Sequence, residues 1–108
     1  MRAKDTKVEQ GSDNVYRDLG YPDADVHLLK SELVARVDKI IRERSLTQVE
    51  AARLLGLSQS DISRLLRGNF REYSMERLLR LLMMLGRDVE IVIRPHQSHQ
   101  GGRMRVGT

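Results

Sequence analysis

The sequence predicts a mainly α fold: a helix-turn-helix bundle of four to five helices with one C-terminal β-strand pairing across a dimer. Three observations predict it. Apolar residues recur every three to four positions between residues 26 and 85, the period of a one-sided helix. Thr47, Ser58 and Ser74 open helices, and Gly56, Gly68 and Gly86 close them. The apolar period then changes to two over residues 89–94, the mark of a strand. At 108 residues and 12.4 kDa the chain is one domain. It is long enough to bury roughly two-thirds of its unfolded surface without disulfide or metal staples.

Residues 1–21 are polar apart from Val15, Tyr16, Leu19 and Tyr21. That is too little apolar surface to fold alone, so a flexible N-terminal arm is expected. Residues 22–95 form the helix-turn-helix and dimerisation domain, and residues 96–108 a disordered tail. Pro22 stands where a helix can begin, because its missing N–H costs nothing in the first turn. Val26, Leu29, Leu33, Val37, Ile40 and Ile41 follow at helical spacing, predicting a first helix over about residues 23–44.

Thr47-Gln48-Val49-Glu50 reads as a capping box, in which the threonine oxygen takes the N–H three residues on and the glutamate reaches back. Ala51, Ala52, Leu54 and Leu55 continue that helix, and Gly56 stops it where a left-handed residue is needed. Ser58 caps the next helix, with Asp61 as a weaker counterpart of the glutamate, and Gly68 ends it. At about nine residues each, neither helix persists without tertiary packing. Ser74 caps a fourth helix through Leu85 that is apolar on more than one face, with Met83 and Met84 as core fillers. Val89, Ile91 and Ile93 then alternate with Glu90, Val92 and Arg94 up to Pro95. No second strand is predicted. A lone strand leaves a row of backbone donors and acceptors open, and its simplest partner is the same strand of a second copy. Val89, Ile91, Val92 and Ile93 are therefore the candidate dimerisation residues of a homodimer.

Composition narrows the function. The absence of cysteine excludes disulfides, thiolate zinc sites and cysteine nucleophiles. The longest apolar run, Leu81 to Leu85, is far short of the ~20 residues of a membrane span. Met1-Arg2-Ala3-Lys4-Asp5 leads into no apolar block of a secretory signal, so a cytoplasmic chain is expected. The net charge of +4 is unevenly placed: residues 1–32 carry five Lys/Arg against seven Asp/Glu, residues 33–95 twelve against eight. Eleven of those twelve are arginine, whose planar fork suits phosphates and guanine edges. The pI near 9.8 fits a nucleic-acid partner.

No catalytic residue, cofactor or metal is expected. His27 is isolated, and His96 and His99 have no third ligand nearby. Asp23 and Asp25 suit the positive end of the first helix. Gly101-Gly102 follows no strand and precedes no helix, so it is no phosphate loop. The aromatic residues Tyr16, Tyr21, Phe70 and Tyr73 lie off the recognition face, which disfavours single-stranded RNA.

Leu46 to Leu66 has the spacing of a helix-turn-helix, with small Ala51 at the helix crossing, Gly56 at the turn and Leu57 and Ile62 inside. Its second helix directs Gln59, Ser60, Ser63, Arg64 and Arg67 outward, where glutamine can bond an adenine edge twice and arginine a guanine edge twice. With Gln48, Ser58 and Arg71 these are the candidate DNA-binding residues, and double-stranded DNA with an inverted-repeat operator is the expected partner. Arg67 and Arg71, at the helix end and in the following loop, are expected on phosphates.

These residues resemble the lambda-repressor-like (XRE-type) helix-turn-helix family in Thr47-Gln48, Ala51-Ala52, Gly56-Leu57-Ser58-Gln59 and Ile62-Ser63. The resemblance implies that Gln48 contacts a phosphate and braces Gln59. A narrower resemblance, to the HigA-type antitoxin branch, spans about residues 12–95. It is carried by Asn14-Val15-Tyr16-Arg17-Asp18-Leu19-Gly20-Tyr21, Leu28-Leu29-Lys30, Tyr73-Ser74-Met75-Glu76-Arg77-Leu78 and Leu85-Gly86-Arg87-Asp88-Val89-Glu90-Ile91. It implies a repressor of its own operon that neutralises a small basic toxin, a ribosome-dependent or RelE-like RNase. Val15, Tyr16, Leu19 and Tyr21 are then the candidate toxin-binding residues. The alternatives are a stand-alone transcriptional repressor without a toxin, or a protein-interaction module.

Overall fold

The computed structural model describes residues 22–96 and 101–107 of the chain. Four helices follow one another: α1 (Pro22–Glu43), α2 (Gln48–Leu55), α3 (Gln59–Leu66) and α4 (Met75–Met84). Helix α1 packs mainly on α4 and also on α3, while α2 packs on α3 and touches α4. The two short motif helices are thus held between the long α1 and the C-terminal α4, as their length requires.

The core takes one face from each helix. In α1, Leu33, Val34, Val37, Ile40 and Ile41 are buried, and Leu29 packs against them. Val34 extends the expected face by one position. Ile62, Leu65, Leu78 and Val37 are the largest fully buried side chains. Burial of each is worth roughly 1.5–3 kcal/mol relative to exposure. Leu81, Leu82 and Leu85 complete the core from α4, but Met83 and Met84 stand half-exposed in the single chain. They are not the core fillers the apolar run suggested, because among the described residues α4 is covered on one side only.

The helices end alike. Leu57 N–H reaches back to the Ala52 carbonyl at 2.9 Å, while Gly56 takes the left-handed backbone with φ 70°. This closes α2 with its last carbonyls satisfied. Helix α1 ends through the same pair of bonds, Leu46 N–H to Ile41 O and Ser45 N–H to Arg42 O, both at 3.0 Å. Here the left-handed residue is Ser45, with φ 55°, where glycine is usual. Arg44 donates to the Leu85 carbonyl at 3.2 Å and ties the ends of α1 and α4 together.

Among the described residues there is no strand. The expected strand over residues 88–94 forms no ladder, because no other described residues are extended beside it. Its apolar side chains lie open to solvent: Ile91 is 74% and Ile93 91% exposed. Within the expected tail, residues 101–107 run back to α1. Val106 packs against the core and its N–H donates to Glu32 Oε1 at 3.2 Å, while Arg36 donates to the Gly107 carbonyl. The candidate toxin-binding residues Val15, Tyr16, Leu19 and Tyr21 lie outside the described residues.

Candidate nucleic-acid interface

The candidate interface is built on two caps. Thr47 Oγ1 accepts from Glu50 N–H at 3.0 Å, and Glu50 Oε1 accepts from Thr47 N–H at 2.8 Å, closing the expected box. The bond from the Thr47 backbone N–H, with the Thr47 side chain second, holds the Glu50 carboxyl below the usual glutamate range. Gln48 therefore sits, exposed, in the first turn of α2 next to a fixed capping box.

Ser58 repeats the first half of the box: its Oγ accepts from Asp61 N–H at 3.0 Å. The Ser58 and Ser60 hydroxyls also share a bond of 3.3 Å, so both are engaged at the start of α3. Ile62 and Leu65 seat α3 with no exposure at all. That anchor turns Gln59, Ser60, Arg64 and Arg67 outward, and Ser63 stands half-buried beside them. Arg71 is exposed in the loop after α3, where its carbonyl accepts from Lys30 Nζ at 3.3 Å.

Of the eight residues expected to meet DNA, seven are thus exposed and one is half-buried. Six of the eight fall between Ser58 and Arg67, on α3 and its two caps. A face carrying amide, hydroxyl and guanidinium groups on a helix anchored from behind is suited to base edges and phosphates.

Other groups join it that the sequence reading did not mark. Arg64 pairs with Asp61 one turn back on α3. A cleft of about 330 Å³ beside this pair is lined by Asp61, Arg64, Asn69, Glu72, Tyr73 and Arg77. The Arg77 guanidinium lies 4.4 Å above the Tyr73 ring. Only the i, i+3 spacing of Asp61 and Arg64 signalled any of this in the sequence. A second shallow cleft of about 380 Å³ lies between α1 and the Arg71 loop, lined by Val26, His27, Lys30 and Arg71. Among the described residues no group of three His, Asp or Glu side chains could hold a metal ion, and no helix is long and apolar enough to cross a membrane.

Residues 15–94 match the family model of a helix-turn-helix domain. A solved structure assigned to the XRE family of transcriptional regulators is similar at a TM-score of 0.71 and 34% identity, covering 81% of this chain and 97% of that one. No curated protein matches the chain.

Proposed function

This chain belongs to the XRE-type helix-turn-helix family, and on that premise we propose that it is a sequence-specific transcriptional repressor and the antitoxin of a type II toxin–antitoxin pair. DNA binding is the family's part of this reading. The observation that carries the rest of the DNA reading is α3, whose buried Ile62 and Leu65 turn Gln59, Ser60, Arg64 and Arg67 to one open face. Gln59 and Arg64 read base edges; Gln48, Arg67 and Arg71 hold phosphates and set the register. Ser58 and Ser60 fix the start of the helix, and Ser63 contacts DNA only at close approach. Two such helices in a dimer read an inverted repeat with half-sites about one helical turn, ~34 Å, apart.

The dimer is joined by residues 89–94, paired antiparallel between two cytoplasmic copies. Exposed Ile91, Val92 and Ile93 support this reading, since a monomer gains nothing by leaving three such side chains in water. The antitoxin role rests on the resemblance in residues 14–21 and 73–91, and the partner is a small basic RNase.

The DNA reading is tested by selecting duplexes from a random pool with the wild-type protein. Gln59→Ala should then cost about 1–3 kcal/mol on the selected duplex and flatten discrimination at one base pair. Arg67→Ala or Arg71→Ala should weaken every duplex alike and reduce the slope of log affinity against log salt by about one. Equal losses on selected and random duplexes for Gln59→Ala would refute base readout. Co-purification of a neighbouring gene's small basic product tests the antitoxin role.

A further inference from the structure

Asp61 is the only acidic residue in α3, and it stands between Ser60 and Ile62, within the run of side chains that faces DNA in the reading above. A carboxylate is out of place on such a face, where it repels phosphate. The two caps of the motif show that its carboxylate takes no part in the cap. In α2 the acid at the corresponding position, Glu50, returns to the cap and accepts from the Thr47 N–H. In α3 the shorter Asp61 gives only its backbone N–H to Ser58, and its carboxylate turns forward to the Arg64 guanidinium. The pair is open to water, with side chains 54% and 41% exposed for Arg64 and Asp61. Surface pairs of this kind contribute little to stability. Asn69, Glu72 and Arg77 line the cleft around the pair, and pairing with Asp61 offsets the charge of Arg64 before any DNA arrives.

We propose that Asp61 is a specificity-determining positioning residue: it fixes the direction of Arg64 and penalises DNA on which Arg64 has no base edge to meet. On the right sequence the guanidinium keeps one edge on Asp61 and gives its free N–H groups to a guanine, a geometry that a tethered fork reaches with little further ordering. On the wrong sequence Arg64 must leave Asp61 to reach a phosphate, and an unpaired carboxylate is left facing the DNA backbone. Discrimination then comes from a repulsive element as much as from an attractive one. The inference rests on the DNA reading of α3 and adds to it a residue that makes non-cognate binding worse.

The test compares two probes, the duplex selected from a random pool by the wild-type protein and a scrambled duplex of the same length. Asp61→Asn should bind the scrambled duplex roughly two- to fivefold more tightly, the scale of one surface charge interaction. It should gain nothing on the selected duplex, so the ratio of the two affinities falls. Asp61→Glu, which keeps the charge, should recover part of that ratio. In an Arg64→Ala background, Asp61→Asn should leave the ratio where Arg64→Ala alone put it, because the aspartate acts through the arginine. An equal drop in both backgrounds would overturn the proposal in favour of Asp61 reading a base directly. An unchanged ratio, or a fall in both affinities together with the melting temperature, would also overturn it. Failure of the wild-type protein to enrich any duplex would instead refute the DNA reading itself, and this proposal with it.

Discussion

Thr47 and Ser58 have the same task and almost the same geometry, yet the acid three residues on behaves differently in each case. One methylene decides it. Glu50 is long enough to come back to the Thr47 N–H at 2.8 Å, which fixes the entry to α2. Thr47→Ala should therefore cost about 1 kcal/mol of unfolding free energy, read from urea denaturation. The charge on Glu50 has a pH signature. Its carboxyl is held below the ordinary glutamate range by the Thr47 N–H, so the folded state favours the ionised form. A lowered folded value contributes stability that is complete above the unfolded pKa and lost as pH falls through the folded one. Wild type should thus be more stable than Glu50→Gln at neutral pH, and the gap should close in acid below the usual glutamate range. A gap that stays constant from neutral pH into acid would remove the carboxylate from the cap's energetics.

At the scale of elements, helix starts were legible because Thr47, Ser58 and Ser74 are good caps, and each does accept the N–H three residues on. Ends were legible where glycine holds the left-handed position, as at Gly56. The end of α1 came from loss of the apolar pattern instead, because Ser45 adopts that conformation without announcing it. Residue type told which side chains of α3 were polar; it could not tell that Asp61 would choose Arg64 over the cap, since both partners lie three residues away. The run containing Met83 and Met84 is harder to read for a related reason: an apolar run on two faces of a helix calls for two covers, and among the described residues only one is present. The open Met83, Met84, Ile91, Val92 and Ile93 are consistent with the second cover being another copy. Sedimentation at micromolar concentration should give about twice the chain mass. Val92→Pro removes a ladder donor and should shift the protein toward monomer, with weaker cooperative DNA binding and an unchanged helical spectrum. A variant that stays fully dimeric would place the interface elsewhere.

Over the whole molecule, charge and apolar groups are divided along the chain in a way that suggests two separate tasks. The arginine-rich residues 33–95 include the motif, while Asp5, Glu9, Asp13 and Asp18 surround the apolar residues Val15, Tyr16 and Leu19. The family match begins at residue 15, so the segment up to Tyr21 is part of what the family model describes. If that segment holds a basic toxin, its acids speed encounter and its apolar residues supply the contact, which a polar segment lacking them could not. About twenty-five residues separate Tyr21 from Thr47, and among the described residues the buried core begins at Leu33, with Leu29 packed against it. The two functions should then be separable. The chain shortened to begin at Asp23 should keep its melting temperature and its affinity for the selected duplex, yet fail to restore growth to cells expressing the toxin. If the segment instead covers its own domain, the same deletion lowers the melting temperature and weakens DNA binding as well. Full restoration of growth by the shortened chain would take toxin binding away from residues 1–22 altogether and move it onto the folded helices.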